Sequence, residues 1–144
     1  GHIRVERHPT DRTFSGTCPF HGDCLEGLAS GPAIATRWGA SLTELGHDHP
    51  GLAVEGFYLG QLAVNLILHH RPEAIIFGGG VSQTPMLLEK IRYECLLLLG
   101  DYLSELASPD AMETLIASPR LENDAGILGA FIMAQRTFSR TNDS

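Results

Sequence analysis

The residues best suited to chemistry in this 144-residue chain lie in the stretch TCPFHGDCLEGLASG, residues 17–31. Cys18, His21 and Cys24 recur at intervals of three residues, and Glu26 follows two residues after the last of them. Thiolate and imidazole are ligands that Zn²⁺ prefers, and a structural zinc site needs four ligands in a tetrahedron. The spacing therefore predicts three ligands of one zinc site within seven residues of sequence.

The fourth ligand must come from another part of the chain, and His2 and His8 in the opening segment are the candidates. The competing interpretation is that Cys18 and Cys24 form a disulfide or stay reduced and buried without metal. The third cysteine, Cys95, lies in an apolar run without an obvious partner, which argues against a secreted disulfide framework. The cysteines therefore favour a metal site in a reducing compartment, and we expect a cytoplasmic protein.

Composition limits the remaining possibilities. The chain is 43% hydrophobic and 19% charged, enough for one globular unit with a single core. A net charge of -7, a pI near 5.4 and the lack of a basic run make nucleic acid an improbable partner. The apolar runs are interrupted short of the roughly 20 residues that span a bilayer. The chain opens on GHIRVERHP without methionine, so we expect part of a longer polypeptide.

Short elements are predicted on both sides of the cysteines. Alternating apolar residues predict a short strand over residues 3–5, and the polar residues 10–17 predict a loop that delivers the cysteines. A helix is expected directly after Cys24. A second helix is expected over residues 32–38, because Ser30 can cap its start and proline suits its first turn.

A second cluster of possible ligands, His47, Asp48 and His49, lies in a turn bounded by glycine and proline. Histidine and aspartate are ordinary solvated residues in such a turn, so we interpret the cluster as the approach to a helix and not as a metal site. That helix is predicted over residues 52–70, where apolar residues recur every three or four positions.

A glycine loop follows the next predicted strand. Residues 74–77 are continuously apolar, as in a strand covered on both faces, and they lead into Gly78, Gly79 and Gly80 before an amphipathic helix. Backbone amides in a glycine loop and a positive helix start can hold a phosphate. The same pattern also fits a tight turn without a ligand.

The end of the chain predicts one more strand and one more helix. The strand is expected over residues 114–117. The helix is expected to begin at residue 124 or 125, where Asn123 or Asp124 can cap it, and to end in a polar tail at residues 138–144.

Four segments, GHIRVERHP, GTCPFHGDCLEGLASGPAI, AIIFGGGVS and NDAGILGAF, follow one another in this order. Together they resemble the second half of the ROK family (repressors, open reading frames and sugar kinases), in particular its bacterial fructokinase type. The resemblance implies an α/β fold, the second lobe of an actin/Hsp70-like (ribonuclease H-like) ATPase fold with an inserted zinc knuckle. The lobe is expected over residues 1–137, with the knuckle at residues 17–31.

Carried over by position, the resemblance implies that His2, Cys18, His21 and Cys24 bind Zn²⁺. The commoner family pattern has cysteine where His21 stands, and imidazole replaces that thiolate without loss of a ligand. The glutamate of the family's Cys-x-Glu pattern falls on Glu26 and is implied to bind sugar hydroxyls. His2 has two ring nitrogens and is implied to contact the sugar as well as the metal.

The resemblance also implies a nucleotide site and a reaction. Gly78, Gly79 and Gly80 fall on the loop that contacts the nucleotide, which would be ATP with Mg²⁺. The general base and the phosphate loop are expected upstream, in an N-terminal lobe of the same protein. The full protein is expected to transfer a phosphoryl group from ATP to a hexose, with fructose favoured, and to form a homodimer. This piece alone is expected to be inactive.

Two other functions fit the same residues. The chain can be the sugar-sensing half of a ROK transcriptional repressor, which would need a DNA-binding helix-turn-helix upstream. It can also be a binding module without chemistry. The sequence upstream of Gly1 would separate these alternatives from a kinase.

Overall fold

The computed structural model of the protein describes residues 1–121 and 124–142. The described residues form a mixed α/β fold that is mostly helical. Its elements in chain order are α1 (Leu25–Ala29), α2 (Gly31–Trp38), α3 (Leu42–Leu45), α4 (Gly51–His70), β1 (Ile75–Ile76), α5 (Leu87–Leu99), α6 (Pro109–Leu115), β2 (Ile116–Ala117) and α7 (Ala125–Asn142). Short 3-10 helices occur at Pro9–Asp11, Val81–Gln83 and Ser104–Leu106. The α/β class expected from the sequence is therefore present.

The main core forms where α4 packs along α5. The buried side chains of α5 recur every four residues and form one stripe, made of Leu87, Ile91, Cys95 and Leu99. The two helices approach closely because Gly56 and Gly60 carry no side chain. An added Cβ at these positions would lie 2.6 Å from the Cβ atoms of Lys90 and Glu94, respectively.

A smaller apolar cluster joins α1 to α4. Its buried members are Leu25, Leu28, Ala29, Val54 and Tyr58. Trp38, at the end of α2, is half-buried and packs against both this cluster and the main core. The segment that carries the cysteines is therefore attached to the body of the protein by a limited apolar contact.

The helix α4 has the length and the mean hydropathy, 1.4 over its most apolar window, of a membrane span. Half of that window is buried inside the fold. Its contacts with α5 and α1 are those of a core helix, and a core helix passes the same test of length and composition. The interruptions in its sequence had predicted no span.

The strand predicted over residues 3–5 is not formed. No named strand includes these residues. The carbonyl of Ile3 accepts a hydrogen bond from Leu25 N–H instead, so this segment is bonded to the start of a helix. Alternation of apolar residues therefore predicted a strand that the structure does not form.

The strand predicted over residues 74–77 is shorter and more exposed than expected. Only Ile75 and Ile76 form β1, which pairs in parallel with β2 at Ile116 and Ala117. Ile75 is buried, but Ile76 is 55% exposed, so β1 is not covered on both faces in the described structure. The strand predicted over residues 114–117 is also shorter than expected. Residues 114 and 115 belong to the last turn of α6, and only Ile116 and Ala117 form β2.

The last helix, α7, starts at Ala125 as predicted and continues to Asn142, so most of the expected polar tail belongs to the helix. Asn123, one of the two predicted caps, lies outside the described residues. Large apolar side chains of α7 are exposed, among them Ile127 at 73% and Phe131 at 67%. Most of the surface of Ile127 and Phe131 is therefore left uncovered by the described part of the chain.

Candidate metal centre

The first fourteen residues, which we call the arm, lie across the start of α1. The carbonyls of Gly1 and Ile3 accept hydrogen bonds from Glu26 N–H (2.7 Å) and Leu25 N–H (2.9 Å). The first amides of a helix have no partner within that helix, and here the arm provides one. This bonding places the histidine between Gly1 and Ile3 beside the cysteines.

The knuckle, residues 17–31, combines a tight turn with α1. Cys18 and Gly22 exchange backbone hydrogen bonds of 3.1 and 2.9 Å across the turn, and Gly22 has a φ of 62°. An added Cβ at Gly27 would lie 1.9 Å from the Gly22 carbonyl oxygen, so the turn rests directly on the backbone of α1. The close contact requires glycine at position 27, and the positive φ favours glycine at position 22.

Four donor atoms converge at the knuckle. The Nδ1 atom of His2 lies 3.6 Å from the Sγ atoms of both Cys18 and Cys24, and His21 Nδ1 lies 3.8 Å from Cys18 Sγ. All four ligand atoms lie within 4.8 Å of one another. A tetrahedron with metal bonds of about 2.2 Å has edges of about 3.6 Å, so this donor set fits Zn²⁺. Both thiols are buried and both imidazoles are exposed.

The pKa of the Cys18 thiol supports a role as a metal ligand. Burial raises this pKa, but hydrogen bonds from the backbone of Phe20 and His21 and from the side chains of Cys24 and His21 outweigh it and lower the pKa to about 6. The thiolate is the form that binds a metal ion. Cys18 is thus prepared to bind a cation near neutral pH.

The other candidate for the fourth ligand, His8, is not part of this cluster. Its Nδ1 atom lies 2.8 Å from the Thr10 hydroxyl, and its ring packs edge-on against Phe57 at 5.1 Å between ring centroids. His8 N–H donates to the Tyr58 hydroxyl at 3.3 Å. The structure therefore groups His2, and not His8, with the three knuckle residues.

Glu26 lies beside the arm, on the first turn of α1, and is exposed. A Cβ added to Gly1 would lie 2.8 Å from Glu26 Oε2, so the carboxylate is adjacent to the residue that precedes His2. The two residues that the resemblance assigns to sugar binding are thus close in the structure.

The glycine loop is open but does not lead directly into α5. Gly79 has a φ of 93°, and a Cβ added to Gly79 or Gly80 would meet no atom within 4 Å. The 3-10 helix Val81–Gln83 follows, and α5 begins only at Leu87. The expectation of a strand, a glycine turn and an immediate helix start is therefore corrected. The loop exposes backbone at the end of β1 without the start of a long helix beside it.

The cluster at residues 47–49 divides into separate roles. His47 Nε2 lies 3.3 Å from Asp48 Oδ2 in an exposed pair. His49 Nδ1 accepts a hydrogen bond from Gly51 N–H at 3.0 Å, and its ring packs on Trp38. His49 therefore helps to start α4.

Sequence reasoning missed a group of buried charges beside the knuckle, formed by Asp11, Arg37 and Glu55. One signal for it was present. Glu55 lies three residues before Tyr58 on the apolar face of α4, and a charge on such a face needs a partner when it is buried. The sequence did not indicate which cation would pair with it.

The comparisons with known proteins identify the family. Residues 1–137 match the ROK family, and the chain belongs to that family. A putative fructokinase of Bacillus subtilis (strain 168) is 40% identical over 136 residues, which is 94% of this chain and 45% of the relative. A fructokinase of Lactococcus lactis subsp. cremoris is 38% identical over 141 residues, which is 97% of this chain and 48% of the relative. One from Zymomonas mobilis is 39% identical over 136 residues, or 93% and 44%. The chain thus spans about half the length of these relatives.

Proposed function

We propose that this chain is the metal-, sugar- and nucleotide-binding half of an ATP-dependent hexose kinase that acts on fructose. The reaction would transfer the γ-phosphoryl group of ATP to the sugar and give fructose 6-phosphate and ADP. The observation that carries the proposal is the placement of Glu26 next to the four-donor cluster, in a chain whose relatives bear the name fructokinase.

His2, Cys18, His21 and Cys24 would hold Zn²⁺ in a structural role. A structural zinc ion with four protein ligands has no open position for substrate and contributes folding energy. Because one ligand comes from the arm and three come from the knuckle, the ion would tie these two segments together. It would thereby keep Glu26 and the second nitrogen of His2 in place for sugar hydroxyls.

Gly78, Gly79 and Gly80 would contact ATP with Mg²⁺. The open space above Gly79 and Gly80 supports this proposal, since a ligand can approach the backbone there without meeting a side chain. The family also supports the finer fold, the second lobe of an actin/Hsp70-like ATPase, with an upstream lobe that supplies the general base. Such a lobe, or a second subunit of a cytoplasmic homodimer, would cover exposed apolar residues such as Ile76 and Phe131.

The role of Glu26 is tested in the protein at its natural length. Glu26→Ala should lower kcat/KM for fructose by about 10 to 150-fold, since a lost charged hydrogen bond costs roughly 1.5 to 3 kcal/mol. The KM for ATP should stay close to normal. Glu73→Ala is the matched control, since Glu73 is an exposed glutamate far from the knuckle in sequence. Equal sugar kinetics in both variants would remove Glu26 from the sugar site.

The two-lobe proposal is tested by ADP release with fructose, glucose and mannose. The 144-residue chain should show no turnover, because positioning and charge stabilisation need the missing base and phosphate loop. The protein at its natural length should turn over fructose fastest. Turnover by the isolated chain at about 1 to 100 per second would contradict the proposal. Silence from both proteins would favour the repressor or the binding module.

A further inference from the structure

The arm is held in place by polar contacts along its length, among them ion pairs of Arg4 and Arg7 with Asp23 of the knuckle at 2.5 and 3.5 Å. It belongs to no named strand, and the backbone-to-backbone hydrogen bonds that join it to the body within the described residues use the carbonyls of Gly1 and Ile3. Farther along, Glu6 is held by the side chain of Gln61, and His8 N–H by the Tyr58 hydroxyl. The 3-10 turn Pro9–Asp11 then brings a carboxylate into the interior. Asp11 is only 6% exposed.

Asp11 forms ion pairs with two arginines, Arg7 of the arm at 3.9 Å and Arg37. The guanidinium of Arg37 contacts three separate elements. Its Nε atom lies 3.1 Å from Asp11 Oδ1 in the arm, an ion-pair distance at which the N–H is not aligned as a hydrogen bond. Its Nη2 atom donates to the Leu28 carbonyl of α1 at 2.9 Å. Its Nη1 atom donates to Glu55 Oε1 of α4 at 2.8 Å.

This arrangement is shielded from water. The side chain of Arg37 is 6% exposed, and its guanidinium lies 4.2 Å from the centre of the Phe14 ring and 4.6 Å from that of Trp38. The second oxygen of Asp11 accepts a hydrogen bond of 2.7 Å from the Tyr58 hydroxyl. Coulomb attraction between Arg37 and Asp11 is therefore screened much less than in a surface pair.

Arg37 contacts two segments that each carry proposed metal ligands. Asp11 belongs to the arm that carries His2, while Leu28 belongs to the short helix whose N-cap residue is Cys24. We propose that the Arg37–Asp11 ion pair positions the arm against the knuckle and so sets the metal affinity of the four-donor cluster. The inference rests on the proposed zinc site and assigns a positioning role to two residues outside it.

Two isosteric variants separate this role from general stability. Asp11→Asn and Glu55→Gln each replace a carboxyl group that contacts the same guanidinium by an amide, and each keeps an oxygen that can accept a hydrogen bond. They differ in the element that carries the change, which is the arm in one case and α4 in the other. Burial raises the pKa of Glu55 to about 8 against the opposing effect of Arg37, so glutamine resembles the protonated side chain near neutral pH.

The experiment measures the zinc dissociation constant by chelator competition in the protein at its natural length. Amide hydrogen exchange over residues 1–8 and the Tm are recorded for each variant. Asp11→Asn should weaken zinc binding by about tenfold or more, as changes beyond the ligand shell commonly do, and should speed exchange in the arm. Glu55→Gln should change zinc affinity less than about threefold, even if its Tm falls as far as the Tm of Asp11→Asn. Arg37→Lys should behave like Asp11→Asn, since lysine lacks the planar fork that reaches both Asp11 and Leu28.

Each other outcome has a defined meaning. Wild-type protein that binds no zinc would refute the proposed metal site itself. Wild-type protein that binds one zinc while Asp11→Asn binds it equally well would overturn the positioning role and leave the metal site intact. Loss of zinc affinity in both isosteric variants, in proportion to their Tm, would also overturn it, since the charges would then act only through global stability.

Discussion

The candidate metal-binding region and the α4–α5 pair are stabilised by different forces. The arm and the knuckle are mostly loop and short helix, held by backbone hydrogen bonds, buried charges and a cluster of five buried apolar residues. The α4–α5 pair is long, regular and packed through an apolar stripe with glycines at the closest approach. The candidate metal site is thus built on short elements that pack against a regular helical scaffold.

This difference predicts that each region responds to its own perturbation. Loss of the metal ion should loosen the arm and the knuckle, since four side chains from two segments would lose their common partner. Loss of a buried methyl group in α5 should lower global stability without changing the donor atoms. Cys18→Ser, Ile91→Ala and Glu55→Gln, in order of decreasing expected effect, test whether the two regions respond separately.

The largest effect is expected from Cys18→Ser. Metal content, measured by elemental analysis of protein purified without chelator, should fall from one zinc per chain to near zero, because serine supplies no thiolate. The far-UV circular dichroism of the protein should be largely retained, because α4 and α5 carry none of the four ligands. Cys95→Ala is the control, since Cys95 is a buried cysteine of α5 outside the cluster, and it should keep its zinc. Unchanged zinc in Cys18→Ser would show that the ligand set is wrong.

The second effect is expected from Ile91→Ala in the buried stripe of α5. Ile91 is fully buried, so the free energy of unfolding in urea should fall by about 2 to 5 kcal/mol. The zinc content should stay at one per chain. Leu97→Ala, on the exposed side of the same helix, should cost much less, because Leu97 is 57% exposed. If Ile91→Ala also released zinc at temperatures where the protein is folded, the two regions would not be separable.

The smallest effect is a pH dependence of stability from Glu55. Burial raises its pKa to about 8 although Arg37 lowers it, while Asp11 adds to the increase. A pKa above the ordinary 4.5 means that the stabilisation is complete below pH 4.5 and is lost as the pH rises through about 8. The Tm should therefore fall between pH 4.5 and about pH 8 more steeply in wild type than in Glu55→Gln. Parallel Tm curves for the two proteins would contradict this assignment.

The helices were largely predictable because their signals are local. Ser30 accepts a hydrogen bond from Ala33 N–H at the start of α2, as its position before Gly-Pro indicated. The four-residue α3 was not predicted, although Ser41 and Glu44 form the capping box that its sequence allows. A single turn has too few apolar positions to show a periodic pattern, so only its cap marks it in the sequence.

The bonding of extended segments was less predictable, since it depends on distant partners. Ile3 and Val5 alternate with polar residues as in a strand, yet the Ile3 carbonyl is bonded to the first turn of α1. Residues 74–77 had the composition of a fully covered strand, yet Ile76 is 55% exposed. Composition shows how apolar a segment is, but it does not show which elements cover the two faces of that segment in the folded protein.

The sequence by itself determined three of the four donors, because Cys18, His21 and Cys24 are close enough for a single turn to bring them together. It left the fourth open between two histidines of the arm. The family resemblance favoured His2, and the tertiary structure places it with the cysteines 16 and 22 residues away. Only the tertiary structure joined Arg37 to Glu55, 18 residues apart in the chain. The physical reason is that local spacing acts within a turn or a helix, whereas contacts between arm, knuckle and α4 arise only when hydrophobic burial assembles those elements.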